Sequence, residues 1–164
     1  MKKIGLISDT HGIIAPQIYD FLSDCDEIWH AGDIGSQKVA QELKRFKNFK
    51  AVYGNIDDLF IRNMFPEVKI FQVELLKVVL IHIGGYPGKY TSKAKELIAN
   101  EKPDIFVSGH SHILKIMFDK KHNLMYMNPG AAGRQGLHQK ITLVKFKING
   151  KEISDLEIME KEKS

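Results

Sequence analysis

The chain has 164 residues, 43% apolar and 27% charged, with a formal net charge of +4, which suits one domain with a sizeable core and leaves little room for a second. Its lysines are dispersed among acids with no basic block, which speaks against a nucleic-acid binder, while the mild positive surplus suits a small anionic substrate. The apolar part of the opening MKKIGLISDTHG is too short for a signal peptide or a membrane span, and the single cysteine, Cys25, excludes an intrachain disulfide. A cytoplasmic protein with no membrane partner is therefore expected.

Lys3 to Ser8 reads as a short buried parallel strand that ends in a polar cluster. Pro16 opens a helix with Ile18, Phe21 and Leu22 on one face. Glu27 to His30 is a second strand. Ser36 caps a helix whose apolar side is Val39, Ala40, Leu43 and Phe46. Phe49 to Tyr53 is a third strand, and Asp57 or Asp58 caps a short helix ending before Pro66. This β-α-β-α-β order signals a parallel sheet with helices on its faces. Val68 to Glu74 and Lys77 to Ile83 read as a hairpin, Thr91 to Asn100 as a helix, and Ile105 to Ser108 as another buried strand. Four strands follow: Ile113 to Phe118, Leu124 to Asn128, Lys140 to Ile148 and Glu152 to Met159. Turn signals at Lys120 to Asn123 and at Asn149-Gly150 separate them. The lysine-rich tail, Glu160 to Ser164, is expected to fray. Residues 1–164 thus form a single α/β domain of two packed sheets.

Metal-competent side chains recur where these strands end. Asp9 and His11 lie in SDTHG, Asp33 in HAGD, Asn55 in GNID, His82 in LIHIGG, and His110 and His112 in SGHSH. Ligand crevices in parallel-sheet proteins lie outside the carboxyl ends of the strands, so the seven converge on one edge. Each motif alone is weak; their joint, ordered occurrence points to metal. Carboxylate oxygens and imidazoles together suit first-row divalent ions. Seven ligands are too many for one ion and about right for two, with Asp33 the natural bridge and Asn55 a neutral oxygen.

The ordered set D-x-H, G-D, G-N, H and G-H-x-H resembles the calcineurin-like metallophosphoesterase superfamily. The short length, the missing cap domain and the NPG at Asn128 to Gly130 resemble its branch of small prokaryotic phosphodiesterases. The resemblance spans about residues 3 to 150 and implies a four-layer, two-sheet β-sandwich flanked by helices. It implies two divalent metal ions, manganese first, with nickel, zinc, iron, cobalt and magnesium open. Asp9, His11, Asp33 and His112 would hold one ion, and Asp33, Asn55, His82 and His110 the other. It also implies in-line hydrolysis of a phosphate ester by a metal-bridging hydroxide, with no catalytic side chain acting as nucleophile.

Where many members carry a histidine after G-N, this chain has Ile56, which cannot donate a proton, so a small phosphodiester is the expected substrate. A phosphomonoesterase or nucleotidase with His30 as the acid, and a non-catalytic scaffold like the retromer subunit of the same fold, stay open. His30 itself reads as a hydrogen-bonded structural histidine near the site. Asn55 and Arg134 are candidate substrate contacts, and the loop Gly84 to Tyr90, with Lys89 and Tyr90, is a candidate for substrate selection. Asp57 serves either behind the ligands or as a helix cap. His122 and His138 read as surface residues, and Trp29 and Met125 to Met127 as core. A homo-oligomer is left open.

Overall fold

In the computed structural model, which describes residues 1–163, the strands form two five-stranded sheets. The elements in chain order are β1 (Lys2–Ile7), α1 (Pro16–Leu22), β2 (Glu27–His30), α2 (Gln37–Phe46), β3 (Asn48–Ala51), α3 (Leu59–Met64), β4 (Val68–Val73), β5 (Leu76–Ile81), α4 (Ser92–Glu101), β6 (Ile105–Val107), β7 (Leu114–Asp119), β8 (Leu124–Pro129), β9 (Lys140–Asn149) and β10 (Glu152–Glu162). The first sheet runs β10-β9-β1-β2-β3 and the second β4-β5-β6-β8-β7. Strands β1, β2 and β3 pair in parallel, as do β5, β6 and β8.

The two-residue period of each strand sorts its side chains into layers. Ile4 and Leu6 of β1, Trp29 of β2 and Phe146 of β9 pack against Val78 and Leu80 of β5 and Val107 of β6, forming the core between the sheets. The alternate positions face outward. Ile7 and Ile28 meet Ile18 and Leu22 of α1 and Leu43 of α2, while Val79 and Ile81 meet Ala94 and Ile98 of α4. The result is a sandwich of two sheets with helices outside each. Trp29 is fully buried and its indole N–H donates to Glu27 at 2.8 Å. Ser36, Asp58 and Thr91 cap α2, α3 and α4 through their side chains.

The tail departs from expectation. Glu160, Lys161 and Glu162 pair with Thr142, Ile141 and Lys140, so β10 runs on as an edge strand instead of fraying. Its exposed charges mark an edge protected from further pairing, not a loose end. Ser164, the last residue of that expected frayed segment, lies outside the described residues. Burial lifts the Cys25 thiol to about 11. Among the described residues no helix is long and apolar enough to cross a membrane.

Candidate metal centre

The seven candidate ligands lie just beyond the carboxyl ends of β1, β2, β3, β5 and β6. Their side chains form two groups, Asp9–His11–His112 and Asp33–His82–His110, each offering ligand atoms within 4.8 Å of one another. The Oδ2 of Asp33 lies between the groups, 3.6 Å from His11 Nε2 and 3.2 Å from His82 Nε2. Asp9 Oδ1 lies 3.3 Å from His112 Nε2 and 3.8 Å from His82 Nε2. Asn55 Oδ1 is 3.0 Å from His82 Nε2.

Hydrogen bonds leave the inward-facing atoms free. Asp9 spends Oδ2 on the Ser8 hydroxyl (2.7 Å) and the His110 amide (3.1 Å). Asp33 spends Oδ1 on the Ile56 amide at 3.0 Å. His82 Nδ1 faces the Ala31 carbonyl at 2.7 Å. A carbonyl only accepts, so the Nδ1 proton points there, and the neutral ring presents a lone pair at Nε2. That lone pair then meets oxygens of Asn55 and Asp33 with no proton between them. Asp9 Oδ1 and His11 Nε2 are buried without any hydrogen-bond partner. Converging lone pairs of this kind are costly unless a cation sits among them, and a mixed oxygen and imidazole set fits a first-row divalent ion.

Without a cation the same groups share protons. Burial pushes the Asp9 and Asp33 carboxyls up, but the neighbouring His112 and His82 imidazoles, and the charge on His82, bring both below the usual carboxylate range. Burial pulls His82 down, yet its bond to Asp33 and the charges of Asp9 and Asp33 hold it above the ordinary histidine value. The backbone is strained here too. Five of the nine non-glycine residues with positive φ among those described are Asp9, His11, Asp33, His110 and His112, at a cost of roughly 1 kcal/mol or more each. Gly54 is fixed by close approach, since a Cβ there would lie 2.0 Å from Asp33 Oδ1.

Asp57 is buried behind the ligands and accepts the amides of Gly54 (2.8 Å), Ile34 (3.1 Å) and Gly35 (2.8 Å). Asp58, not Asp57, caps α3. The Asp57 carboxylate thereby clamps the loop carrying Asp33 to the loop carrying Asn55. Substituting Asp57→Ala is expected to lower stability by about 3 kcal/mol, because three amides lose an ionised acceptor; urea denaturation of the two proteins measures it.

The other residues singled out in the sequence have varied surroundings. His30 is fully buried, and burial lowers it to about 3. Its Nδ1 accepts the Gly32 amide at 3.1 Å and its Nε2 faces the Thr10 hydroxyl at 2.9 Å, leaving no nitrogen for a substrate. Arg134 is exposed and lines a groove with Ile13, Gln17 and Lys161 that contains none of the seven ligands. Tyr90 turns into the core and donates to Asp119 at 2.7 Å, so of the candidate selection loop it faces no substrate. His122 is held by Asp119 at 2.9 Å. His138, read as a surface residue, is half-buried with its ring centroid 4.9 Å from that of His112. No periodic pattern could have linked these two, because 26 positions and an irregular loop separate them.

Two clefts open beside the cluster and share no lining residue. One, of 260 Å³, is walled by Asn55, His82, Ile83, Arg62 and Lys93 among others. The second, of 410 Å³, is walled by His110, His112, Ile113, Leu137 and His138 among others.

The family model described as the calcineurin-like phosphoesterase superfamily domain matches residues 1–151. A probable metallophosphoesterase of Methanothermobacter thermautotrophicus is 30% identical over 161 residues, covering 95% of this chain and 91% of that protein. Among solved structures, a single-mutant Vps29 from Entamoeba histolytica superposes with a TM-score of 0.77 at 16% identity, covering 98% of each chain. A predicted phosphoesterase from Streptococcus pneumoniae gives 0.72 at 19% identity, covering 99% of this chain and 90% of that one. At these identities the structural likeness speaks for the fold.

Proposed function

Because the chain belongs to the calcineurin-like phosphoesterase superfamily, we propose that it is a phosphodiesterase that works with two divalent cations. One observation carries this reading: Asp33 Oδ2 faces one imidazole of each ligand group, His11 at 3.6 Å and His82 at 3.2 Å. A carboxylate oxygen so placed suits a shared ligand, with Asp9, His11 and His112 on one side and Asn55, His82 and His110 on the other. When bound, the ions supply Lewis acidity for phosphoryl oxygens and a water acidic enough to attack at neutral pH.

The chain's own residues then position and discriminate. Asp57 and Ser8 hold the carboxylate-bearing loops in register, so ligand geometry is set before substrate arrives. Arg62 donates to the backbone carbonyls of Asp57 at 2.8 Å and Asn55 at 3.2 Å, steadying the Asn55 segment. Ile56 is 47% exposed beside the cluster and His30 is sealed in the core, so neither delivers a proton to a departing alkoxide. That favours esters whose leaving group needs little help, such as aryl esters. Two separate clefts that both begin at candidate ligands give room for both substituents of a diester.

Bis-p-nitrophenyl phosphate with added manganese tests this. Turnover is expected to exceed that of the monoester p-nitrophenyl phosphate. Equal or faster monoester cleavage would favour the monoesterase reading, and no metal-dependent turnover of either would favour the scaffold role.

A further inference from the structure

We infer that His138 is a positioning residue, fixing the tautomer and ring orientation of His112 so that the Asp9–His11–His112 group is complete only when the loop after β8 is seated. The inference rests on the two-cation reading above. Its foundation is a chain of hydrogen bonds whose direction is decided by chemistry. His138 Nε2 lies 2.8 Å from the Gly133 carbonyl. A carbonyl accepts, so the neutral His138 ring carries its proton there and has a lone pair at Nδ1. That atom is 3.2 Å from His112 Nδ1. With that lone pair as the acceptor, the contact is a hydrogen bond in which the intervening proton belongs to His112. His112 then presents its lone pair at Nε2, the atom 3.3 Å from Asp9 Oδ1, which is the form a cation requires.

The loop is tied to the same group. Ala132 N–H donates to Ser8 O at 2.8 Å and Gly133 N–H to Asp9 O at 3.0 Å. The carbonyl that holds His138 therefore belongs to a residue pinned to the backbone of Asp9. Gly136, at φ 127°, passes so close that a Cβ would sit 2.4 Å from His112 Nδ1. One side of the His112 ring is thus walled by glycine and braced by His138, and the rings meet edge to face at 88°.

A histidine that merely anchored its loop would use only the bond to Gly133, and two substitutions separate the roles. His138→Asn keeps an acceptor near the Nδ1 position and gives up the reach to Gly133. His138→Gln keeps a donor near the Nε2 position and gives up the acceptor facing His112. Nitrogen-15 NMR of the metal-free protein reads the His112 tautomer, and calorimetric titration with cobalt(II) alone reads the two sites. The Asn variant is expected to keep the Nδ1–H form of His112 and bind cobalt within about threefold of the wild type. The Gln variant should mix the tautomers and weaken one site of the two by roughly 10–100-fold, the usual cost of losing a partner behind a ligand. A Gln variant that matches the wild type, or an Asn variant that weakens the site as much as Gln, would overturn the assignment. A wild-type protein that takes up no cobalt would overturn the two-cation reading, while the tautomer of His112 still decides the hydrogen-bond order.

Discussion

Replacing Asp33 by alanine is expected to abolish cation binding at both ligand groups, whereas loss of His110 or His112 should weaken one. The reason is placement. Asp33 is 2% exposed, its Oδ1 is fixed by the Ile56 amide, and its Oδ2 faces His11 and His82 together. Removing it takes a negative charge from between the two sites and leaves the two imidazoles without the oxygen they converge on. Loss of a residue behind a ligand costs about 10–100-fold, so loss of a shared ligand should cost more than about 100-fold in turnover. Metal analysis of the purified variant, beside circular dichroism to establish that it folds, checks this. Tight retention of one ion would show that Asp33 is not shared.

Chelation should lower thermal stability far more at pH 8 than at pH 5. In the cation-free protein Asp9 and Asp33 sit below their usual range, so their contribution is present above about pH 4 and is lost as pH falls through their lowered folded values. His82 is raised, so its contribution is fully present below about pH 6.5 and is lost as pH rises through its folded value. At pH 5 the His82 proton does part of the work of a cation and competes with it. As pH rises and that proton is lost, the strained ligands come to depend on metal. A cation at a thousand times its dissociation constant stabilises by about 4 kcal/mol, or on the order of 10 °C for a domain of this size. Scanning fluorimetry with and without EDTA at the two pH values reads the effect, and identical melting temperatures at pH 8 would count against a built metal site.

Much of the fold was legible because the strands alternate between two apolar environments and the helices carry one apolar face. The β-α-β-α-β opening follows from that alternation and from the caps at Ser36 and Asp58. Ends slipped by a residue or two where the chain leaves a ladder gradually, as at β3, which stops at Ala51 while Val52 still donates to His30 O. The β10 extension was hidden because an edge strand carries charges on its open side and so looks like a solvated tail. Six of the seven candidate ligands fall within the two groups, and the seventh, Asn55, touches His82. They were visible because hard ligands at the ends of buried strands have no structural reason to cluster. Tyr90 and His138 sit otherwise than the sequence suggested for a shared reason: each depends on the path of an irregular loop, and no periodicity says where such a loop turns.

Crystals grown with manganese and measured at its absorption edge should show two anomalous peaks, one among Asp9, His11 and His112 and the other among Asn55, His82 and His110, with Asp33 contacting both. A single peak, or density at neither group, would contradict the two-cation reading.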